Sequence, residues 1–108
     1  MKNEKLTSLI NDFLEYLEVE KNCSKLTLRD YKHYLDVFSD WYSSSLPGKS
    51  LEDLTLLDVR KYRVHLANKV NHKNESLKKV TQNFYVIALR SFLRFLLKND
   101  YRTLEPSK

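Results

Sequence analysis

Apolar residues recur every three or four positions along most of this chain, and very little in it would interrupt a helix. The 108 residues include only one glycine and two prolines. Because a 3.6-residue period places apolar side chains on one face of a helix, the pattern predicts an all-α fold. A chain of this length with 42% hydrophobic residues can fill one core but not two, so we expect a single domain.

The first two predicted helices are separated by a short polar junction. The first runs from about Lys5 to Lys21, and Asn22 suits a left-handed cap after it. Ser24 is the predicted N-cap of the second helix, which should end near residues 43–45, before the loop SSSLPGKS. Their predicted buried residues are Leu6, Leu9, Ile10, Phe13 and Leu17 in the first helix, and Leu28, Tyr31, Leu35, Phe38 and Tyr42 in the second.

The third and fourth helices follow that loop. Thr55 and Asp58 form a T-x-x-D pair that predicts the start of the third helix. The polar segment NHKNE separates it from the fourth helix, which should run from about Leu77 or Lys78 to Asn99. The predicted buried residues are Val59, Tyr62, Leu66 and Val70 in the third helix, and Val80, Phe84, Ile87, Ala88, Ser91, Phe92 and Phe95 in the fourth.

Basic residues are concentrated in the second half of the chain. Residues 1–54 contain 7 Lys or Arg against 10 Asp or Glu, and residues 55–108 contain 12 against 4. Such an excess of cations favours a polyanionic partner, because Lys and Arg that neutralise phosphates release condensed counterions. A solvated surface without a partner is the open alternative.

Two helices carry a basic face that is separate from the predicted apolar stripe. In the second helix these residues lie within about 60° of one another on an ideal wheel, and in the fourth within about 40°. They are Lys25, Arg29 and Lys32 in the second helix, and Lys79, Asn83 and Arg90, with Arg94 nearby, in the fourth. Arg90, Asn83 and Thr81 have side chains that can reach base edges, and the remaining cations suit phosphates.

Several other function classes lack support in the sequence. Cys23 is the single cysteine, so no internal disulfide is possible, and no Cys/His cluster has the spacing of a metal site. Neither a phosphate-binding Gly-rich loop nor a nucleophile–base arrangement is visible, so we predict no cofactor, no metal and no catalytic residue. The absence of a long apolar run or a signal peptide makes the cytoplasm the expected location and excludes a membrane partner.

Three segments in this order and spacing resemble a known family from end to end. They are LINDFLEYLEVEKNCSKLTLRDYKHYL, LEDLTLLDVRKYRVHL and LKKVTQNFYVIALRSFLRFLLKND. The chain resembles the N-terminal core-binding domain of tyrosine recombinases, the phage integrase and Xer-type group. It departs from the family pattern at Phe84 and Tyr85, where basic residues are common.

The resemblance implies a four-helix SAM-like orthogonal bundle that forms half of a clamp around double-stranded DNA, with the second and fourth helices across the major groove. It implies DNA contacts from Thr27, Arg29 and Lys32 in the second helix and from Lys79, Thr81, Asn83 and Arg90 in the fourth, with Lys25, Lys78 and Arg94 on phosphates. The parent recombinase would act as a tetramer on DNA with protomer contacts through the acidic first helix, whereas the isolated domain is expected to be monomeric.

The resemblance also implies that the chemistry of the family lies elsewhere. A separate catalytic domain supplies its Arg, Lys, H-x-x-R and Tyr residues, and no histidine in this chain is followed three places later by Arg. We therefore expect residues 1–103 to be the DNA-binding domain and 104–108 to begin a linker to an absent catalytic domain, so that this chain binds DNA without cutting it. Two alternatives remain: a helical protein-interaction module acting through the acidic first helix, and a small helix-turn-helix regulator.

Overall fold

The computed structural model describes residues 4–101 and residue 103. Its elements are α1 (Glu4–Val19), α2 (Lys25–Ser45), a 3₁₀ turn (Leu51–Asp53), α3 (Leu56–Asn68) and α4 (Lys79–Lys98). Within those residues the regular secondary structure is helical, and a single isolated β-bridge joins Val70 to Ser76. The prediction of four helices in an all-α fold is confirmed.

The junction between α1 and α2 has the capping features that the sequence predicts. Asn22 has a φ of 52°, in the left-handed region that Asn tolerates better than most residues. The Cys23 backbone N–H donates to the Leu17 carbonyl at 3.0 Å, which satisfies an orphan acceptor at the end of α1. The Ser24 hydroxyl accepts from the Thr27 backbone N–H at 3.2 Å and so caps α2.

The connection between α2 and α3 is fixed by a polar network around Asp58. The carboxylate of Asp58 accepts from the Thr55 backbone N–H at 3.0 Å and from Lys49 Nζ at 2.5 Å, while the Thr55 hydroxyl accepts from the Asp58 N–H at 3.1 Å. This reciprocal pair is the predicted capping box. Burial alone would raise the pKa of Asp58, but the hydrogen bonds from Lys49 and Thr55 outweigh it and lower that pKa.

Helix α3 ends earlier than its apolar pattern suggested. Its last residue is Asn68, so Val70 lies outside the helix and is 51% exposed. The prediction that Val70 is buried is wrong, because the chain turns away there into a loop closed by the Asn71 side chain. The Asn71 side-chain oxygen accepts from the backbone N–H groups of Lys73 and Glu75, at 2.8 and 3.0 Å.

One hydrophobic core receives side chains from all four helices. The Phe13 ring of α1 lies 5.7 Å from the Phe92 ring of α4, and the Phe38 ring of α2 lies 5.1 Å from the Tyr62 ring of α3, between centroids. The α2–α3 connection adds two leucines. The buried hydrophobic residues are Leu6, Ile10, Phe13, Leu17, Leu35, Phe38, Trp41, Tyr42, Leu51, Leu54, Tyr62, Leu66, Tyr85, Val86, Ala88, Leu89, Phe92, Leu93 and Leu96.

The buried face of α4 differs from the predicted one. Val80, Phe84 and Ile87 were expected in the core, but they are 56%, 49% and 48% exposed. Ala88 and Phe92 are buried as expected, and the two other members of the predicted face, Ser91 and Phe95, are only partly buried.

The observed core face is rotated by roughly 120° from the predicted one on an ideal helical wheel. It is formed by Tyr85, Val86, Ala88, Leu89, Phe92, Leu93 and Leu96. Apolar residues occupy two adjoining strips of α4, so the helical period alone does not choose between them. Packing against the other helices selects the strip that contains the leucines and leaves the other strip exposed.

The end of α4 is held against the rest of the bundle. The Tyr101 backbone N–H donates to the Leu96 carbonyl at 2.8 Å, and the Tyr101 ring packs against the core. The Thr103 hydroxyl then donates to the Leu51 carbonyl in the 3₁₀ turn at 3.1 Å. The predicted linker, residues 104–108, lies outside the described residues.

Candidate nucleic-acid interface

The predicted basic face of α2 is exposed but partly neutralised. Lys25, Arg29 and Lys32 all reach solvent. Lys32 Nζ lies 2.8 Å from an Asp36 carboxylate oxygen, and Arg29 lies 3.4 Å from Asp30. With Asp40, α2 has three carboxylates for its three cations, so its net charge is zero. A phosphate contact from Lys32 must therefore compete with a carboxylate one helical turn away.

Thr27 has a structural role in the same helix. Its side chain is half-buried, and its hydroxyl forms a hydrogen bond at 3.1 Å with the hydroxyl of Ser24, the residue that caps α2. Thr27, a predicted DNA contact, therefore helps to order the first turn of α2.

Helix α4 has a different electrostatic character. Its 20 residues include no Asp or Glu and four cations, and Lys78 at its N-cap adds a fifth. Lys79, Asn83 and Arg94 are exposed, whereas Arg90 is half-buried. Among the described residues, none of the basic residues of α4 forms a salt bridge. From Lys79 to Arg94 the row extends over 15 residues, or about 22 Å at 1.5 Å per residue. These cations are free to bind an external anion.

Thr81, on the other side of α4, is half-buried and lies one turn before Tyr85, the residue that joins α4 to α2. His33 Nε2 and the Tyr85 hydroxyl form a hydrogen bond at 3.0 Å, with the donor set by the histidine tautomer. The Tyr34 and Tyr85 rings pack with centroids 4.7 Å apart. Burial raises the pKa of Tyr85, with a further contribution from Tyr34, so its hydroxyl stays neutral.

The basic face of α2 borders this contact. Arg29 lies four residues before His33, so it occupies the next turn on the same side of α2. One edge of the α2 basic face therefore lies a turn away from the contact with α4, whose own cations lie on the far side of that helix from Tyr85. The predicted DNA contacts of α2 and those of α4 thus lie on two helices that pack directly against each other.

Helix α3 contributes a cation that the sequence analysis did not single out. Arg63 lines a groove of about 280 Å³ together with Lys79 and Asn83 of α4. The run RKYR, with Arg60 and Arg63 one turn apart, was the available signal, but only the packing of α3 against α4 places Arg63 beside the predicted row.

A second groove extends the basic surface at the other end of α4. Lys21, Arg94 and Lys98 line it, over a floor that includes Phe13 and Phe95. Lys21 Nζ lies 5.8 Å from the centroid of the Tyr16 ring, which holds this side chain against α1. Neither Lys21 nor Lys98 was predicted, because Lys21 lies in the junction after α1 and Lys98 at the end of α4, and only the tertiary structure brings them together.

No catalytic arrangement accompanies these cations in the part of the chain that the structure describes. No group of three or more His, Cys, Asp or Glu residues there is arranged to hold a metal ion. Tyr101 is half-buried, with Lys5 Nζ 5.2 Å from its ring centroid, so it packs as a structural residue. None of the described helices is long and apolar enough to cross a membrane.

Comparison with known proteins identifies this arrangement of helices. Residues 10–100 match the family described as phage integrase, N-terminal SAM-like domain. The chain belongs to this family. Membership confirms the SAM-like fold implied by the resemblance, and it places the four helices and their basic surface in a recombinase-type domain.

Curated relatives of this SAM-like domain are named tyrosine recombinases. The chain is 33% identical over 93 residues to tyrosine recombinase XerC of Oceanobacillus iheyensis, which covers 85% of this chain and 28% of that protein. It is 36% identical over 87 residues to XerC of Bacillus licheniformis, covering 80% and 26%. It is 29% identical over 98 residues to tyrosine recombinase XerD of Lacticaseibacillus casei, covering 91% and 30%. The chain thus spans less than a third of these relatives. No solved structure shows a significant match.

Proposed function

We propose that this domain binds double-stranded DNA for a tyrosine recombinase, with α4 in the major groove and α2 beside it. The observation that carries the proposal is the character of α4, a 20-residue helix with a row of cations and no carboxylate. A major groove about 12 Å wide accepts one such helix. The names of the relatives, tyrosine recombinases XerC and XerD, support the same partner.

Each predicted residue has a role in this proposal. Asn83 and Arg90 face base edges, where Asn pairs with adenine and Arg with guanine through two hydrogen bonds. Thr81 lies beside the α2 contact, and Thr27 orders the first turn of α2. The remaining predicted cations bind phosphates: Lys25, Arg29, Lys32, Lys78, Lys79 and Arg94. Arg63, which lines a groove with Lys79 and Asn83, joins them.

In this proposal the unit that binds DNA is residues 1–103, and cleavage belongs to another part of the parent recombinase. The exposed carboxylates of α1, such as Asp12 and Glu15, would be repelled by phosphates, so α1 faces away from the duplex and can contact a neighbouring protomer of a tetramer.

The salt dependence of binding tests the proposal. Five of the cations that the proposal places on phosphates form no salt bridge among the described residues: Lys25, Arg63, Lys78, Lys79 and Arg94. If each neutralises one phosphate, the slope of log affinity against log salt should be near −4.5, at about −0.9 per contact. The assay is fluorescence anisotropy with a labelled duplex of about two helical turns over a series of salt concentrations.

Two variants with the same change in charge make this test specific. Lys79→Ala should weaken binding and reduce the magnitude of the slope by about 0.9, with no change in the helical circular dichroism signal. Lys61→Ala is the matched control, because Lys61 is exposed on the flank of α3 that is turned away from Arg63, and it should keep the wild-type slope. A wild-type slope near zero, or equal effects of the two variants, would contradict the proposal.

The acidic helix α1 supports the second candidate function, a protein-interaction module. Asp12, Glu15 and Glu20 line a shallow depression with Val19. If this surface is the working one, the domain should retain a protein partner after nuclease treatment and in high salt, and Arg90→Ala should leave that binding intact.

A further inference from the structure

An apolar strip on α4 remains exposed beside the basic row. Val80, Phe84 and Ile87 are each about half exposed, and their spacing of four and three residues places them on one strip of the helix. Large apolar side chains that are clustered on a surface mark a contact with a partner more often than single exposed ones do. The strip therefore needs an occupant.

The position of the strip limits what that occupant can be. On an ideal wheel Val80, Phe84 and Ile87 lie within about 60° of one another, and together with Lys79, Asn83 and Arg90 they span about 140° of the helix. Whatever covers the strip also meets these cations. Because α4 has cations beside the strip and contains no carboxylate, a partner surface that is complementary to it has anionic groups along its edge. It has apolar groups at separate points inside that edge.

The major groove of DNA at thymine-containing sites has this combination. Phosphates form its edges, and each A·T pair presents the C5-methyl group of thymine, which apolar side chains contact. We propose that Val80, Phe84 and Ile87 contact thymine methyl groups and give the domain a preference for A·T pairs. This inference rests on the proposed function, since it requires α4 to lie in the major groove.

Methyl contacts and phosphate contacts can be separated experimentally. A methyl contact involves no ion, so it contributes to affinity without changing the salt slope. Burial of one methyl-sized group changes affinity about fourfold. The strip therefore predicts a preference that persists at every salt concentration, while overall affinity falls with salt.

The test uses two alternating duplexes of about two helical turns, one of deoxyadenosine with thymidine and one of deoxyadenosine with deoxyuridine. They differ in the C5-methyl group at every pyrimidine, so each binding register loses its methyls in the second duplex. The wild-type domain should bind the thymidine duplex at least about fourfold more tightly, with the same salt slope on both.

Variants assign that ratio to the protein rather than to the stiffness of the DNA. Phe84→Ala and Ile87→Ala should each reduce the ratio and leave the slope on the thymidine duplex unchanged. Val19→Ala is the matched control, because Val19 is 71% exposed at the end of α1, and it should keep the wild-type ratio. All four proteins should have the same thermal midpoint within a few degrees, since none of these side chains is buried.

The outcomes distinguish this inference from the proposed function. Equal affinity for the two duplexes with a steep salt slope would overturn the methyl contact and leave DNA binding in place. A ratio that neither Phe84→Ala nor Ile87→Ala reduces would also overturn it, because the ratio would then be a property of the DNA. A dimer in sedimentation that Phe84→Ala dissociates would assign the strip to a second copy of the chain. No binding to either duplex would refute the proposed function itself.

Discussion

Replacing Asp36 with Asn should strengthen DNA binding, although the change lies outside the strongest part of the basic surface. In the free domain the Asp36 carboxylate holds Lys32 at 2.8 Å. A phosphate contact from Lys32 therefore requires this ion pair to break. In Asp36→Asn the ammonium group is free before the duplex arrives, and the approaching phosphates meet one fewer negative charge.

The exposure of the pair sets the size of the effect. Both side chains are about half exposed, and exposed ion pairs contribute about 0–1 kcal/mol. Releasing Lys32 should therefore raise affinity by up to about fivefold at low salt. It should also make the salt slope steeper by about 0.9, because one more cation displaces a counterion. The free energy of unfolding should change by no more than about 0.5 kcal/mol.

The assay is the anisotropy titration used for the slope, with Asp12→Asn as the matched control. Asp12→Asn changes the net charge equally, but Asp12 lies on α1 among carboxylates and forms no salt bridge with a described cation, so its slope should equal that of the wild type. If Asp36→Asn binds no more tightly than Asp12→Asn, Lys32 does not reach a phosphate. The proposal that α2 lies along the duplex would then fail, while that for α4 would stand.

The remaining predictions concern the core that holds these helices. Asp58→Asn removes the carboxylate that binds Lys49 and half of the capping box, so it should lower the free energy of unfolding by about 3 kcal/mol in urea titrations. Because the pKa of Asp58 is lowered in the folded state, the stability that its carboxylate provides is present above the ordinary value of 3.8 and is lost as the pH falls below it. The free energy of unfolding of Asp58→Asn should therefore fall less than that of the wild type as acid is added in this range. An equal fall in the two proteins would contradict the network. Tyr62→Phe removes a buried hydroxyl that has no hydrogen-bond partner among the described residues, and it should raise the free energy of unfolding by about 1 kcal/mol; a loss of stability would show that the hydroxyl is satisfied.

The starts of α2 and α3 and the left-handed residue after α1 were predictable because their signals are local. Ser24 and the Thr55/Asp58 pair cap their helices through hydrogen bonds to residues three positions away, so the sequence contains both partners. Asn22 is likewise a local choice of backbone conformation. Such features depend on a few neighbouring residues and hardly on the rest of the fold.

The orientation of α4 was not predictable in the same way. Phe84 and Leu89 are both suitable core residues, and the helical period allows a core face centred near either one. Which strip is buried depends on where α2 and α3 pack, and that is decided by residues distant in the sequence, such as His33 in its contact with Tyr85. The same limitation hid Arg63 and Lys21, whose proximity to α4 is purely tertiary.

The hydrogen bond between Thr103 and Leu51 has a mechanical consequence. It fastens the backbone leaving α4 to the connection that precedes α3, at a point 52 residues earlier in the chain. Any polypeptide that continues past Thr103 therefore starts from a point that is hydrogen-bonded to the bundle, and not from the frayed end of a helix. The motion of any domain that follows would then depend on the residues beyond Thr103. Thr103→Val would remove this hydrogen bond and lengthen the connection without altering the helices that face the groove.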